Sequence, residues 1–298
     1  MSARSQACAT GTPRRGRAWA ALLTQPSYLA GVRVLRASLE RVGSPYPFVV
    51  VVTPTISAED RALLQADGCL VREVAPIRPP AGLRDSYANA RFAEVWTKLA
   101  VWTLTEFERL VVLDADMLVV QNMDELMDLE LAPGQVAACH ACRCNPNRIA
   151  TYPASWTPEG CAYTHLAAGG PSSELLAAAD PYVNGGTLVL RPDRAVFDEL
   201  MAELAGVEDL TRYVFAEQDF LNEHLRGRWR VLPYVYNALK TLPFQHPALW
   251  DAQAVKNLHF IIDKPWERPP DPGSRYHALE RRWWDVARDL DLEPAPAG

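Results

Sequence analysis

Two carboxylates one residue apart, Asp114 and Asp116, close the apolar run Leu110 to Leu113. Hard oxygen donors there suit magnesium or manganese, held in part by substrate phosphates. Bare, the two acids repel each other, so a cation is their natural neutraliser. Ligands of open α/β sheets bind at the carboxyl ends of strands, which is where this pair falls. A second group lies far down the chain, from His259 to Trp266. His259 has the chemistry to complete a metal shell, and Lys264 to meet a diphosphate as a compact point charge. Read alone, each also fits a blander role, a core histidine and a surface cation. A third group, Glu217-Gln218-Asp219, sits in an apolar frame between Phe215 and Leu221. It offers a carboxylate and an amide to a substrate, or simply acids favoured at a helix N-terminus. Asn184-Gly185-Gly186 opens a strand and signals either a close backbone approach or a simple turn.

Several chemistries are missing. No G-x-G-x-x-G or G-x4-G-K-[ST] phosphate cradle occurs, which weakens dinucleotide and NTPase readings. No G-x-S-x-G elbow of the common hydrolases occurs either.

The elements that must position these groups alternate strand and helix. Ala18 to Thr24 reads as a strand, Tyr28 to Val42 as a helix, and Pro47 to Thr53 as a continuous apolar strand. Ser57 caps a helix through Asp67, and Leu70 to Val74 is a third strand. This order argues for a parallel sheet with right-handed crossovers. After a Pro-rich loop, Arg91 to Leu104 reads as a helix whose buried stripe is Phe92, Val95, Trp96, Leu99 and Trp102, with Lys98 at its edge. Met117 to Val120 is a short apolar run, followed by a helix from Asp124 to Leu129. The stretch from Cys139 to Pro181 has little periodicity and reads as functional loops. Strand Leu188 to Leu190, a helix to Leu204, a helix Glu217 to Leu225, extended Val231 to Tyr236, strand Val255 to Ile262 and a last helix Arg275 to Leu290 complete the pattern.

The chain has 298 residues, 49% of them hydrophobic and 22% charged, enough to bury a sizeable core. Its net charge of -6 argues against a nucleic-acid partner. Its apolar runs are strand-sized, far short of the roughly 18 to 20 residues of a spanning helix. Arg4, Arg14, Arg15 and Arg17 precede the first acid, Glu40, and read as a basic tail over residues 1–17. Without an evident anchor or signal the chain reads as cytoplasmic. Four of the six cysteines, Cys139, Cys142, Cys144 and Cys161, lie close together, with His140 and His165 nearby. Soft Cys and His ligands suit zinc, but their spacing matches no common zinc module, so reduced thiols packed near a cleft are expected ahead of a structural metal.

Taken together, the clusters resemble glycosyltransferase family 8, from about Trp19 to Trp284. The carriers are Leu22-Leu23-Thr24 with Tyr28, Arg91 with Trp96-Thr97-Lys98-Leu99, Asp114-Ala115-Asp116, Asn184-Gly185-Gly186, Glu217-Gln218-Asp219, and His259 with Lys264-Pro265-Trp266. Residues 68–74, 215–222, Tyr236-Asn237 and Trp283-Trp284-Asp285 resemble its galactinol synthase branch. The resemblance implies a glycosyltransferase A-type fold: a Rossmann-like mixed sheet flanked by helices, one domain over residues 18–290, with a tail at 291–298. It implies a retaining transfer from a UDP-sugar to a hydroxyl acceptor, with UDP-galactose and myo-inositol first among them, and Mn2+ or another divalent ion such as Mg2+. Asp114, Asp116 and His259 would hold the metal. Leu23, Thr24 and Tyr28 would line the uridine site. Arg91, Lys98 and Asn184, with Ala115 and Gly185 beside them, would touch the sugar or its phosphates, and Lys264 the diphosphate. Gln218 and Asp219 would lie near the anomeric carbon. Asp219 would be the one candidate for a covalent intermediate, front-face displacement being preferred. Two features depart from the pattern: the His259 to Lys264 connection is short and lacks a Gly, and the segment Lys240 to Leu258 holds no Tyr for self-glucosylation. Transfer from UDP-glucose or another UDP-hexose to a glycan or protein acceptor, a catalytically silent nucleotide-sugar binder and a homodimer are further readings.

Overall fold

The computed structural model describes residues 16–169 and 182–293, the side chain at position 90 excepted. The expected tails lie largely outside these residues, as does the end of the loop-rich stretch.

Seven strands form the main sheet. They are β1 Arg17–Leu23, β2 Phe48–Val52, β3 Leu70–Glu73, β4 Arg109–Leu113, β6 Val136–Cys139, β7 Thr187–Leu190 and β8 Trp229–Leu232. Their order is β3-β2-β1-β4-β7-β6-β8. The first four are parallel, as the alternating pattern demands. β7 then runs against both β4 and β6, so the sheet is mixed rather than purely parallel. β2 and β4 are buried along their whole length, which explains the apolar runs Phe48 to Val52 and Leu110 to Leu113. β3 lies at the sheet edge, and its half-polar sequence is correspondingly exposed.

Side chains alternate across the sheet, and each face has its own core. Ala18, Ala20, Val49, Val51, Leu110 and Val112 pack on one side with Trp96, Trp102, Leu200 and Phe220. Trp19, Ala21, Leu23, Val50, Val52 and Leu113 pack on the other with Val32 and Leu35 of helix Leu29–Arg41. At about 25 cal/mol per Å2 of apolar surface, this two-sided burial is the main force holding the sheet.

The segment expected as an α-helix after Asn89 is a 3-10 helix, Ala90–Thr103. Its second half, from Trp96 to Trp102, is buried without interruption, so Lys98 lies inside rather than at an edge. The segment after Met123 is likewise a 3-10 helix, Asp124–Asp128, and after β8 the chain turns through 3-10 helix Tyr234–Tyr236 instead of staying extended.

A second, three-stranded sheet joins β5 Met117–Val119, β9 Ala238–Leu239 and β10 Asn257–His259 in the order β5-β10-β9. Its register pairs His259 with Met117 and with Leu239. Helix His277–Ala287 seals this sheet with Trp283 and Trp284 against Val34, Leu118 and Leu258.

Candidate active site

The site assembles where three registers meet. β4 ends at Leu113, which faces Thr187 at the start of β7. Because the two strands are antiparallel, the end of one and the beginning of the other share an edge, and the Asp114 N–H donates to the Gly186 carbonyl at 2.9 Å. The β5–β10 register then carries His259 beside Asp116, and the Phe260 N–H donates to the Asp116 carbonyl at 2.8 Å. A residue more than a hundred positions away is thus delivered to the acidic turn by ordinary strand pairing.

The donor atoms of Asp114, Asp116 and His259 lie within 4.8 Å of one another. His259 Nε2 is 3.2 Å from Asp116 Oδ1 and 3.9 Å from Asp114 Oδ2. The other ring nitrogen, Nδ1, is 2.8 Å from Asn237 Oδ1, and the Asn237 amide donates to Asn184 Oδ1 at 2.8 Å. An acceptor at Nδ1 places the proton there and leaves the Nε2 lone pair facing the carboxylates, the arrangement of an imidazole metal ligand. Two hard carboxylates and one imidazole fit a divalent ion of the manganese or magnesium kind.

Gly186 makes room for that imidazole. A Cβ there would stand 2.5 Å from His259 Cε1 and 2.8 Å from Asn184 Oδ1. The close approach expected at this glycine is therefore to a histidine ring of the same chain. Gly31 has a similar function on the opposite side: a Cβ would meet the Ala115 carbonyl at 2.5 Å and Trp266 at 2.6 Å. Its absence lets helix Leu29–Arg41 lie directly on the acidic turn.

Two buried lysines compensate the acids. Lys98, 4% exposed, donates to Asp114 at 2.8 Å, to Glu217 at 2.9 Å and to the Gly185 carbonyl at 3.2 Å. Burial opposes its charge, but Asp114 and Glu217 outweigh burial and hold its pKa above the ordinary lysine value. Burial also pushes the Glu217 carboxyl up, against the pull of Lys98. Lys264 pairs with Asp116. Burial works against the Asp116 carboxylate too, yet Lys264 overcomes it and keeps the group well below the usual carboxylate range.

Backbone strain marks two positions here. Ala216, just before helix Glu217–His224, has φ 46°, and Ile262 has φ 71°. A branched side chain in the left-handed region costs of order 1–3 kcal/mol and persists only where surrounding contacts enforce it. Ile262 occupies the short connection that lacks a Gly. The left-handed turn is made anyway, and Lys264 still reaches Asp116.

A cavity of about 490 Å3 lies over this cluster. Thr24, Tyr28, Arg91, Lys98, Asp114, Ala115, Asp116, Asn184, Gly185, Gln218, His259 and Lys264 all border it. Two expected residues do not. Strand alternation turns the Leu23 side chain into the core, 0% exposed, and presents Leu22 to the cavity instead. The Asp219 carboxylate accepts from the Tyr182 hydroxyl and, at 2.7 Å, from the Phe215 N–H. Both of its oxygens are engaged away from the cavity, so it supports the backbone before helix Glu217–His224 and is poorly placed as a nucleophile. Of that trio, Glu217 and Gln218 border the cavity. Gln218 Oε1 accepts from Asn184 and from the Gly185 N–H, and its Nε2 donates to Tyr182, all near 3 Å.

Sequence reasoning missed the positioning function of Asn237 and the pairing of Glu217 with Lys98. It also missed the aromatic far wall, where Tyr152 meets Phe215 edge-on and Trp156 stacks on Phe215 with centroids 4.4 Å apart. No local pattern announces these residues. Arg91, expected to touch phosphate, is paired with Glu267 at 2.5 Å.

The Cys-rich segment is arranged differently from expectation. Cys139 lies in β6 and donates to the Pro233 carbonyl at 3.2 Å, apart from the others. His165 meets the Glu159 carbonyl, and His140 lies edge-on to Tyr163. The histidine facing Cys142, Cys144 and Cys161 is His246. No helix among the described residues is long and apolar enough to cross a membrane.

The family model "Glycosyl transferase family 8" matches residues 20–269. Galactinol synthase 7 of Arabidopsis thaliana is 31% identical over 275 residues, covering 90% of this chain and 80% of its own. Galactinol synthase 1 of Solanum lycopersicum is 30% identical over 285 residues, covering 91% and 81%. Among solved structures, the galactosyltransferase LgtC in complex with donor and acceptor sugar analogues superimposes with a TM-score of 0.62 at 18% identity, covering 93% of this chain and 97% of that one. The glycosyltransferase GlyE of Streptococcus pneumoniae TIGR4 gives 0.54 at 16% identity, covering 95% and 66%. These likenesses show a glycosyltransferase A-type fold.

Proposed function

We propose a donor and an acceptor for this chain, which belongs to glycosyl transferase family 8: galactose carried on UDP, and a hydroxyl of myo-inositol. Family membership makes the chain a hexosyltransferase. The observation that carries the finer reading is the run of relatives named galactinol synthase, about 30% identical over nine tenths of the chain. The far wall supports it, since stacked aromatic faces suit the C–H surface of a sugar or cyclitol.

Asp114, Asp116 and His259 would hold a manganese or magnesium ion. When bound, that ion supplies positive charge against the departing diphosphate. The chain's own groups do the rest. Lys264, at the cavity edge, exchanges Asp116 for diphosphate oxygens and meets the negative charge that grows as UDP departs. Thr24 and Tyr28 face the uridine end. Lys98, kept charged by Asp114 and Glu217, donates toward the sugar. Gln218, fixed by Asn184, Gly185 and Tyr182, orients the reacting face.

With Asp219 turned away, displacement proceeds on the front face. The bond from the anomeric carbon to the phosphate oxygen breaks, the acceptor oxygen bonds to that carbon on the same side, and its proton passes to the departing diphosphate. The anomeric configuration is retained.

The test is UDP release by the purified protein with manganese and UDP-galactose, with and without myo-inositol, and with UDP-glucose as control. Inositol-dependent release from UDP-galactose is expected, and Asp116→Ala abolishes it. Release that ignores inositol moves the acceptor elsewhere. UDP binding without turnover on any acceptor favours a silent binder.

A further inference from the structure

We propose that Cys142, Cys144, Cys161 and His246 form a structural zinc site, separate from the carboxylate cluster. The four side chains are buried, with Cys161 at 0% exposure and His246 at 4%. His246 Nε2 stands 3.5 Å from Cys142 Sγ, 3.3 Å from Cys144 Sγ and 3.6 Å from Cys161 Sγ. Cys142 Sγ and Cys161 Sγ are 3.9 Å apart, and all four atoms lie within 4.8 Å of one another.

Hydrogen bonding does not account for this arrangement. An imidazole nitrogen has one lone pair and accepts one thiol proton, yet three sulfurs converge on it at nearly equal distance. A tetrahedral ion does account for it. With zinc–sulfur bonds of about 2.3 Å and zinc–nitrogen bonds of about 2.0–2.1 Å, the tetrahedron edges come to about 3.8 Å between sulfurs and about 3.6 Å from sulfur to nitrogen. The measured edges match. The set is three soft thiolates and one imidazole, which selects zinc over the hard cations suited to Asp114 and Asp116. On binding, the three thiols release three protons, and four protein ligands close the coordination shell, so the ion is structural.

The surroundings say what it would hold. The cluster sits in an apolar pocket of Tyr163, Leu239 and Leu242, edged by Trp250 and Ile261. Cys142, Cys144 and Cys161 bracket residues 145–160, whose regular structure is the three-residue 3-10 helix Pro158–Gly160, and Cys161 leads directly into helix Ala162–Ala167. His246 lies 104 residues beyond Cys142, just after the short helix Leu242–Gln245. The ion would tie the two together. Between the cysteines run Asn145, Ile149, Tyr152 and Trp156, which form the far wall of the cavity. The site therefore braces that wall, whichever sugar or acceptor the enzyme uses.

The experiment is metal analysis of the full-length protein purified in zinc-replete, chelator-free buffer. About one zinc per chain is expected, retained through gel filtration. Cys161→Ser and His246→Ala should lose it, while Asp116→Ala and Cys69→Ser should keep it. Protein produced with cobalt should show thiolate-to-metal charge-transfer and tetrahedral ligand-field bands, a signature that does not depend on any variant folding. Zinc-free wild-type protein with no cobalt spectrum overturns the proposal, as does zinc that leaves with Asp116→Ala.

Discussion

The two clusters of potential metal ligands among the described residues are built on different plans. The carboxylate cluster comes from the ends of strands, and its register is dictated by two sheets. Its donors border an open cavity, and buried lysines compensate the acids. The cysteine cluster comes from an irregular segment and the end of a short helix, and it packs among apolar side chains. The lesson is one of division. A rigid sheet edge fixes atoms that must meet a charged substrate, whereas a loop too poor in backbone pairing to fix itself is fastened by soft ligands.

The sharpest way to break this comparison is to remove one cluster and observe the other. Asp116→Ala should lower turnover by about a thousand-fold or more, the scale of several kcal/mol of lost charge stabilisation, while protein-bound zinc is unchanged. Steady-state UDP release and metal analysis check both halves. Lys98→Met should cost about 3–5 kcal/mol of folding stability, because two acids then share a buried site without their cation. Urea unfolding measures the loss, and adding Glu217→Gln should restore part of it. Asn237→Ala should weaken manganese activation by about 10–100-fold, since it frees the His259 ring while leaving every ligand in place. A manganese titration of activity reads this, and an unchanged midpoint would show that the ring is held by packing alone. The smallest catalytic change should come from Asp219→Asn. If the carboxylate only anchors Tyr182 and Phe215, activity stays within about tenfold of wild type, a change worth 1.4 kcal/mol. A loss comparable to that of Asp116→Ala would restore Asp219 as a nucleophile.

Much of the frame was legible because local sequence determines it. β2 and the Leu110 to Leu113 part of β4 are apolar runs, Ser57 accepts from the Asp60 N–H as a helix cap, and Asp114 to Asp116 stands where a buried strand must end. What stayed hidden is decided by distant pairing. Nothing near Asn237 or His246 reveals the partners they meet, since each contact depends on how strands and loops far apart in the chain are brought together. The reversal of β7 is of the same kind, because the short apolar run Leu188 to Leu190 reads the same in either direction. Leu23 was misplaced for a simpler reason: Leu22 and Leu23 are the same residue type, and only the phase of β1 decides which one faces the cavity.

Gly31 has a mechanical consequence. A Cβ at position 31 would meet both the Ala115 carbonyl, between the two acids, and the ring of Trp266, two residues beyond Lys264. The missing methyl is a spacer of zero thickness between the floor of the site and the segment that carries Lys264. Any side chain there would wedge both outward together. The gap across which Lys264 reaches Asp116 is therefore gauged by a helix that contributes no catalytic group from this position.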